Sequence, residues 1–351
     1  MNLNKLGWSE TYNKAFELKN TDETFYVARI VGQGTDLYKI YSVHGESVAK
    51  LSGKFYYNVT ERSEIPAVGD WVIVKGNHNE AVVIHDLLPR KSHFSRKIPG
   101  KTTEEQVVAA NIDTVFLVSA LNKDFNPRRI ERYLTLAWES GANPVIVLNK
   151  ADLCDDLTLK LAEVEGIAFG VPIHTISCKT GQGIAQLKSY FSTGQTVALI
   201  GSSGVGKSTI TNALIGDSHQ AVQTIREDDD KGRHTTTSRD LILLEQGMII
   251  DTPGMRELQL WASDSSLSDA FQDIESLANQ CRFRDCQHVN EPHCAVKKAI
   301  NNGELTQARY ESYKKLQKEL AFFADPEQYK RQKDIIEMKN RKMAEQARKK
   351  K

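Results

Sequence analysis

The segment Gly201-Ser202-Ser203-Gly204-Val205-Gly206-Lys207-Ser208 constrains the fold of this chain more than any other. It fills the pattern G-x-x-x-x-G-K-[ST] completely, with an apolar run at Thr196–Ile200 before it and a helical pattern at Lys207–Ile215 after it. Glycines in such a loop let backbone N–H groups turn inward around phosphate oxygens, and the N-terminus of the following helix adds a favourable dipole. Lys207 is expected to reach the β- and γ-phosphates and the Ser208 hydroxyl to ligate Mg²⁺, with Thr209 closing the loop.

The surroundings of the loop point to an α/β sheet. From residue 107 onward, strand patterns at Thr114–Ala120, Pro144–Leu148, Ile173–Ser177 and Thr196–Ile200 alternate with helical patterns at Pro127–Glu139, Leu157–Glu165, Ile184–Phe191 and Lys207–Ile215. Two more strands are expected at Leu241–Glu245 and Met248–Ile250. Alternation at this spacing means a mostly parallel sheet covered by helices.

A phosphate loop does not choose a base, but Asn149-Lys150-Ala151-Asp152 does. It follows a strand, where an exposed turn is expected. The carboxylate of Asp152 suits the N1 and N2 donors of guanine, a pair that adenine lacks, and leaving a desolvated group unmatched costs roughly 10⁴–10⁵ in discrimination. Asn149 is expected to tie the base-binding loop together, and the stem of Lys150 to cover the ring. After the next strand, Ser177-Cys178-Lys179 occupies the place of a Ser-Ala-Lys-like turn, with the Cys178 amide facing the guanine carbonyl.

Two further motifs read as nucleotide-sensing switches. Asp251-Thr252-Pro253-Gly254 ends a strand, so Asp251 is expected to hold Mg²⁺ through water and the Gly254 amide to sense the γ-phosphate. Gly232-Arg233-His234-Thr235-Thr236-Thr237 lies between it and the phosphate loop, with Thr236 favoured to close over Mg²⁺. Met255 stands where many GTPases place a water-orienting Gln, and a thioether cannot orient water. Intrinsic hydrolysis should therefore be slow, with His234 or a group from a partner as the alternatives for that role.

Outside this domain the pattern changes. Short β-rich runs at Phe25–Val31, Leu37–Val43, Ser47–Leu51, Asp70–Val74 and Ala81–Leu88 are separated by turn signals, which suggests a five-stranded barrel: an OB-fold, or an SH3-like barrel as the alternative. Residues 1–21 read as a polar, flexible segment and 91–106 as a basic linker, with the barrel at 22–90 and the nucleotide domain at 107–262. A mainly helical domain is expected at 263–325, and 326–351 form a basic tail with ten Lys/Arg against four Asp/Glu. In the helical part Cys281-x₄-Cys286-x-His288-x₅-Cys294 offers three thiolates and an imidazole, a closed set typical of one structural zinc, with His293 as the alternative to His288. The flanking Arg282, Arg284, Lys297 and Lys298 suit RNA as well as they suit water, and Phe55, Tyr56, Tyr57 and Trp71 are candidates for base stacking or for core. No apolar run reaches the 18–20 residues or so that a membrane span needs, so a soluble, cytoplasmic protein is expected; a monomer is expected as a separate matter.

The order of these motifs is itself a signal, because the guanine-specifying elements precede the phosphate loop and the switches come last. With the barrel, the Gly-x-His-Thr-Thr-Thr-like segment and the Cys/His cluster, this circularly permuted G domain resembles the bacterial small ribosomal subunit biogenesis GTPases of the RsgA family. The resemblance spans about residues 22–325 and implies Mg²⁺-dependent GTP hydrolysis stimulated by the small subunit, a role in its late maturation, and contact with its rRNA. A different reading is a nucleic-acid-binding scaffold whose GTP site senses nucleotide with negligible turnover.

Overall fold

The computed structural model describes residues 1–19, 22–77, 80–97, 105–216, 239–251, 267, 270–289 and 291–324. The chain divides into two compact units, Met1–Gln259 and Leu260–Lys351.

The first unit begins with a barrel of β1 (Tyr26–Gln33), β2 (Tyr38–Ser42), β3 (Gly45–Leu51), β4 (Trp71–Lys75) and β5 (Val82–Leu87). β1 pairs antiparallel with both β2 and β4, β2 with β3 and β4 with β5, while β3 runs parallel to β5. The circuit β1-β2-β3-β5-β4-β1 closes, which is the OB-fold rather than the SH3-like alternative. Alternation does the sorting: Ile40 and Ala49 fill the barrel while Lys39 and Lys50 face out. A short helix the sequence pattern does not announce, α2 (Gly53–Asn58), follows β3 and is capped by Ser52 Oγ, which accepts from Phe55 N at 3.0 Å. None of its residues is buried, so it carries no apolar period. Of the four aromatics considered for stacking, Trp71 is core, Tyr56 and Tyr57 are 71% and 89% exposed, and Phe55 is half-buried.

Two segments differ from expectation. Residues 1–19, read as flexible, form a 3-10 turn at Leu3–Leu6 and helix α1 (Glu10–Lys19). Leu6 is buried, and the rings of Trp8 and Tyr12 pack against Trp71 at 4.8 and 5.9 Å. Because α1 buries only Tyr12, no helical stripe marks it in the sequence. Within 91–106, read as a linker, β6 (His93–Lys97) pairs antiparallel with β7 (Glu105–Ala110), from His93↔Ala110 to Lys97↔Glu105. Phe94 and Val107–Ala110 are buried, so the paired part of this segment packs an apolar side into the protein instead of serving as a linker.

The remainder of the unit is β8 (Thr114–Ala120), α3 (Pro127–Ser140), β9 (Asn143–Asn149), α4 (Leu157–Glu165), β10 (Ile173–Thr175), α5 (Ile184–Lys188), β11 (Thr196–Ile200), α6 (Lys207–Ile215), β12 (Arg239–Leu243) and β13 (Met248–Asp251). The strand order is β10-β9-β8-β11-β13-β12, parallel up to β13 and antiparallel at β12. Every residue of β8 and β11 is buried, as expected for strands covered on both faces. The chain thus builds outward from β8 to one edge and returns with β11 on the other side of β8. The crevice above that reversal is where such sheets bind ligands.

Barrel and sheet are continuous. A bulge between Ile30 and Gly32 bends β1, whose first half pairs with β4 and whose last residues pair with β12 as Gly32↔Asp240 and Gln33↔Arg239. At this seam Arg29, 1% exposed, donates to Gly69 O at 3.1 Å, Asn111 O at 3.1 Å, Thr196 Oγ1 at 2.9 Å and Leu6 O. One guanidinium therefore ties the barrel, the N-terminal turn, the end of β7 and the start of β11. Burial lowers its pKa to about 10, still far above neutrality, so it stays charged.

The second unit contains α7 (Gln272–Ala278), α8 (Ala295–Asn301) and α9 (Gln307–Ala324). Among its described residues the buried side chains include Phe271, Ile274, Val296, Leu316 and Leu320. Arg309 fastens α9 to α7 through Asp273 at 2.6 and 2.8 Å and lies over the Phe271 ring at 4.7 Å. Among the described residues no helix is long and apolar enough to cross a membrane.

Candidate nucleotide site and metal centre

Three loops meet at the carboxyl ends of β9, β10 and β11, and each carries one of the predicted motifs. Gly201–Gly206 connects β11 to α6, with Gly206 as the helix N-cap at φ +100° and Gly204 at φ +77°. Two of these glycines are required by proximity. A Cβ on Gly201 would lie 2.4 Å from Val118 O, and one on Gly206 would lie 2.3 Å from Asn149 Nδ2. Lys207 Nζ donates back to Gly201 O at 2.6 Å and Ser202 O at 2.8 Å, which holds the ammonium over the loop. Ser203, Ser208 and Thr209 are exposed and Val205 is buried beneath the loop.

The base-reading half is fitted directly onto this loop. Asn149 is 2% exposed; its Nδ2 donates to Val205 O at 2.9 Å and its Oδ1 accepts from Cys178 N at 3.4 Å. One buried amide thus joins all three loops, since an unmet amide there would cost about 1–3 kcal/mol. Lys150 adopts a left-handed backbone at φ +63° and donates from Nζ to Gly204 O at 2.6 Å. Asp152 accepts from Ser177 Oγ at 2.6 Å, which orients the carboxylate while leaving the residue exposed. Burial and the Asp152 carboxylate raise the Cys178 thiol above its ordinary pKa, so it stays neutral beside the turn. Lys179 is exposed next to it.

The switch residues fare differently. Asp251 is the last residue of β13, which runs beside β11. His234, Thr236, Gly254 and Met255 lie outside the described residues. Motif reading also passed over two neighbours of the phosphate loop: Arg129 and Asp124, which meet the Ser202 hydroxyl at 3.0 and 3.3 Å. Their only sequence signal is position, just beyond β8 at the reversal of the sheet.

In the second unit Cys281, Cys286, His288 and Cys294 each offer a ligand atom, and all four atoms lie within 4.8 Å of one another. Cys281 Sγ is 3.9 Å from Cys294 Sγ and 3.6 Å from His288 Nδ1, which is 3.3 Å from Cys294 Sγ. His288 joins the thiols; its backbone is left-handed at φ +58°, and its ring meets Tyr310 edge-on. His293 is exposed and outside the cluster. Cys294 caps α8, and burial lowers the pKa of His288, which favours the neutral imidazole a metal requires. The group is suited to bind a metal ion.

Residues 87–261 match the RsgA GTPase family model, and 196–347 match a model described as 50S ribosome-binding GTPase. The second match begins at β11, the strand that feeds the phosphate loop. The chain is 49% identical over 297 residues to a Lactiplantibacillus plantarum protein named small ribosomal subunit biogenesis GTPase RsgA 2, covering 84% of each. Identity to the protein of that name from Vibrio parahaemolyticus is 46% over 321 residues, covering 91% of this chain and 86% of the relative. The crystal structure of YjeQ from Thermotoga maritima superposes with a TM-score of 0.64 at 32% identity, over 85% of this chain and 99% of that one. YloQ, described as a circularly permuted GTPase, shares the fold with a TM-score of 0.58 at 24% identity, over 86% of this chain and 97% of that one.

Proposed function

The chain belongs to the RsgA family of small ribosomal subunit biogenesis GTPases, a circularly permuted GTPase that converts GTP to GDP and phosphate, and from that premise we propose how its residues divide the work. The observation that carries the assignment is the Asn149 amide, bonded at once to the phosphate loop and the Cys178 turn.

Asp152, oriented by Ser177, reads guanine N1 and N2, the Cys178 amide meets the guanine carbonyl, and the Lys150 stem covers the ring. Amides of Ser202 through Thr209 cradle the phosphates, and Lys207 turns from the loop carbonyls to the β- and γ-phosphates. Ser208 and Thr236 are the residues that would hold Mg²⁺, with Asp251 acting through water, and the ion would supply charge neutralisation for the phosphate oxygens. Gly254 senses the γ-phosphate. With Met255 in the place of a water-orienting Gln, turnover is slow until His234 or a group supplied by the partner positions the water.

For the Cys/His cluster we propose one structural zinc. Zn–S bonds of about 2.3 Å and a Zn–N bond of about 2.0–2.1 Å at tetrahedral angles put sulfurs about 3.8 Å apart and sulfur and nitrogen about 3.6 Å apart. Cys281 Sγ and Cys294 Sγ at 3.9 Å, and Cys281 Sγ and His288 Nδ1 at 3.6 Å, fit those separations. The site is closed, with no position left for chemistry.

The proposed partner is the small ribosomal subunit and its rRNA, engaged by a cytoplasmic monomer during late maturation. The relatives' names support this, and the basic residues beside the cluster supply the charge that RNA attracts. Co-sedimentation in the presence of a non-hydrolysable GTP analogue tests it. The reading requires retention on small subunits and not on large ones; retention on large subunits alone would favour the partner named in the second family model.

A further inference from the structure

The loop that leaves β8 faces the loop that leaves β11 across the reversal of the sheet. Asp124 and Arg129 stand there, and both are mounted on fixed backbone. Asn122 Oδ1 accepts from Asp124 N at 3.0 Å, while Asn126 caps α3 by accepting from Arg128 N at 3.0 Å, with Pro127 at its start. Arg129 Nη1 donates to Asp124 Oδ2 at 2.9 Å and Nη2 to Asp124 Oδ1 at 3.4 Å, a two-point grip that lowers the Asp124 pKa. Between them they hold one hydroxyl of the phosphate loop. Ser202 Oγ accepts from Arg129 Nη1 at 3.0 Å and donates to Asp124 Oδ2 at 3.3 Å.

We infer that Arg129 and Asp124 are positioning residues for nucleotide binding, bracing the phosphate loop from outside through the Ser202 side chain. Ser202 is well placed for this. Its carbonyl accepts from Lys207 Nζ at 2.8 Å, and the amides that cradle phosphate begin at its own residue. A loop held in its binding shape before ligand arrives loses less conformational freedom on binding. The brace is a poor contributor to folding, since the Arg129 and Asp124 side chains are 32% and 49% exposed and solvent screens them. Its effect therefore falls on affinity rather than on stability, and it weakens with salt.

The inference rests on the guanine-nucleotide reading of this site. Binding of a fluorescent guanine nucleotide to the full chain, read as Kd and dissociation rate, keeps the two apart. If the unaltered protein fails to bind, the site reading fails; if it binds, the brace alone is on trial. At low ionic strength Arg129→Ala should raise Kd about fivefold, through faster dissociation, with the melting temperature unmoved. Arg129→Lys, which keeps one of the contacts, should recover part of the loss, and added salt should narrow the difference. Arg129→Ala combined with Ser202→Ala should be no worse than Ser202→Ala alone, because the two share one interaction. Unchanged binding in Arg129→Ala, or effects of the two changes that multiply, would overturn the inference. Should the alanine variant misfold, Arg129→Lys and Asp124→Asn carry the same comparison, and unchanged binding in both has the same consequence.

Discussion

The nucleotide site and the Cys/His cluster each converge a few polar side chains, but they draw on different resources. At the nucleotide site the converging loops are exits from strands whose spacing is set by pairing around the buried β8 and β11, so Asn149 arrives beside Val205 and Cys178 because the register of β9, β10 and β11 puts it there. The cluster has no such frame. Cys281–Cys294 contains no helix or strand among its described residues, and the helices around it bury a handful of apolar side chains. The first site is organised by the fold, and the second, on the zinc reading, organises the fold around it.

The contrast is broken most severely by removing metal. Structural zinc contributes on the order of 10 kcal/mol in small domains, so chelation or Cys286→Ser should unfold the region around α7–α9. About one zinc per chain should be lost, while guanine-nucleotide affinity stays within about twofold. Metal analysis and nucleotide titration on the same sample check both halves, and full metal retention by Cys286→Ser would refute the ligand set.

A change of base specificity is next in size. Asp152→Asn replaces an acceptor with an amide that complements xanthine, which has a carbonyl where guanine has an amino group. GTP affinity should fall roughly 100-fold or more, with xanthosine triphosphate gaining. The variant should melt as the parent does, since Asp152 is exposed. Unchanged preference for GTP in a competition assay removes Asp152 from the base-reading role.

Smaller still is the effect expected at the seam between barrel and sheet. Arg29→Met fills similar volume but takes the guanidinium donor away from Leu6 O, Asn111 O and Thr196 Oγ1, while Gly69 O keeps the Asn111 side-chain amide. About 3 kcal/mol of stability should be lost, and the barrel and the nucleotide domain should melt together less cooperatively. A denaturant midpoint that does not move would show that the seam holds by strand pairing alone.

What the sequence reveals divides along the same line. Strands β8, β9 and β11 are legible because both of their faces are buried, leaving uninterrupted apolar runs, and the nucleotide motifs are legible because each has local requirements: glycine where a Cβ meets Val118 O or Asn149, lysine and carboxylate at fixed offsets. The four members of the Cys/His cluster were also legible from spacing, although the preference for His288 over His293 becomes geometric only once Cys281 and Cys294 are seen beside its ring. Contacts made at a distance left no trace. Helix α1 docks by Tyr12 and its aromatic neighbours, β6 hides its pairing behind basic residues, and nothing near Arg129 announces that it will meet Ser202. Such contacts depend on tertiary placement, which no local period encodes.

The central claim is that this site runs a slow GTPase cycle whose chemistry is completed on the small ribosomal subunit. Phosphate release from GTP, measured with the full chain alone, with purified small subunits and with large subunits, tests it most directly. The account predicts slow turnover alone, a rise of at least about tenfold with small subunits only, and loss of both rates in Lys207→Ala, since that lysine stabilises the transferring phosphoryl group. Turnover that small subunits leave unchanged, or that survives Lys207→Ala, would contradict it.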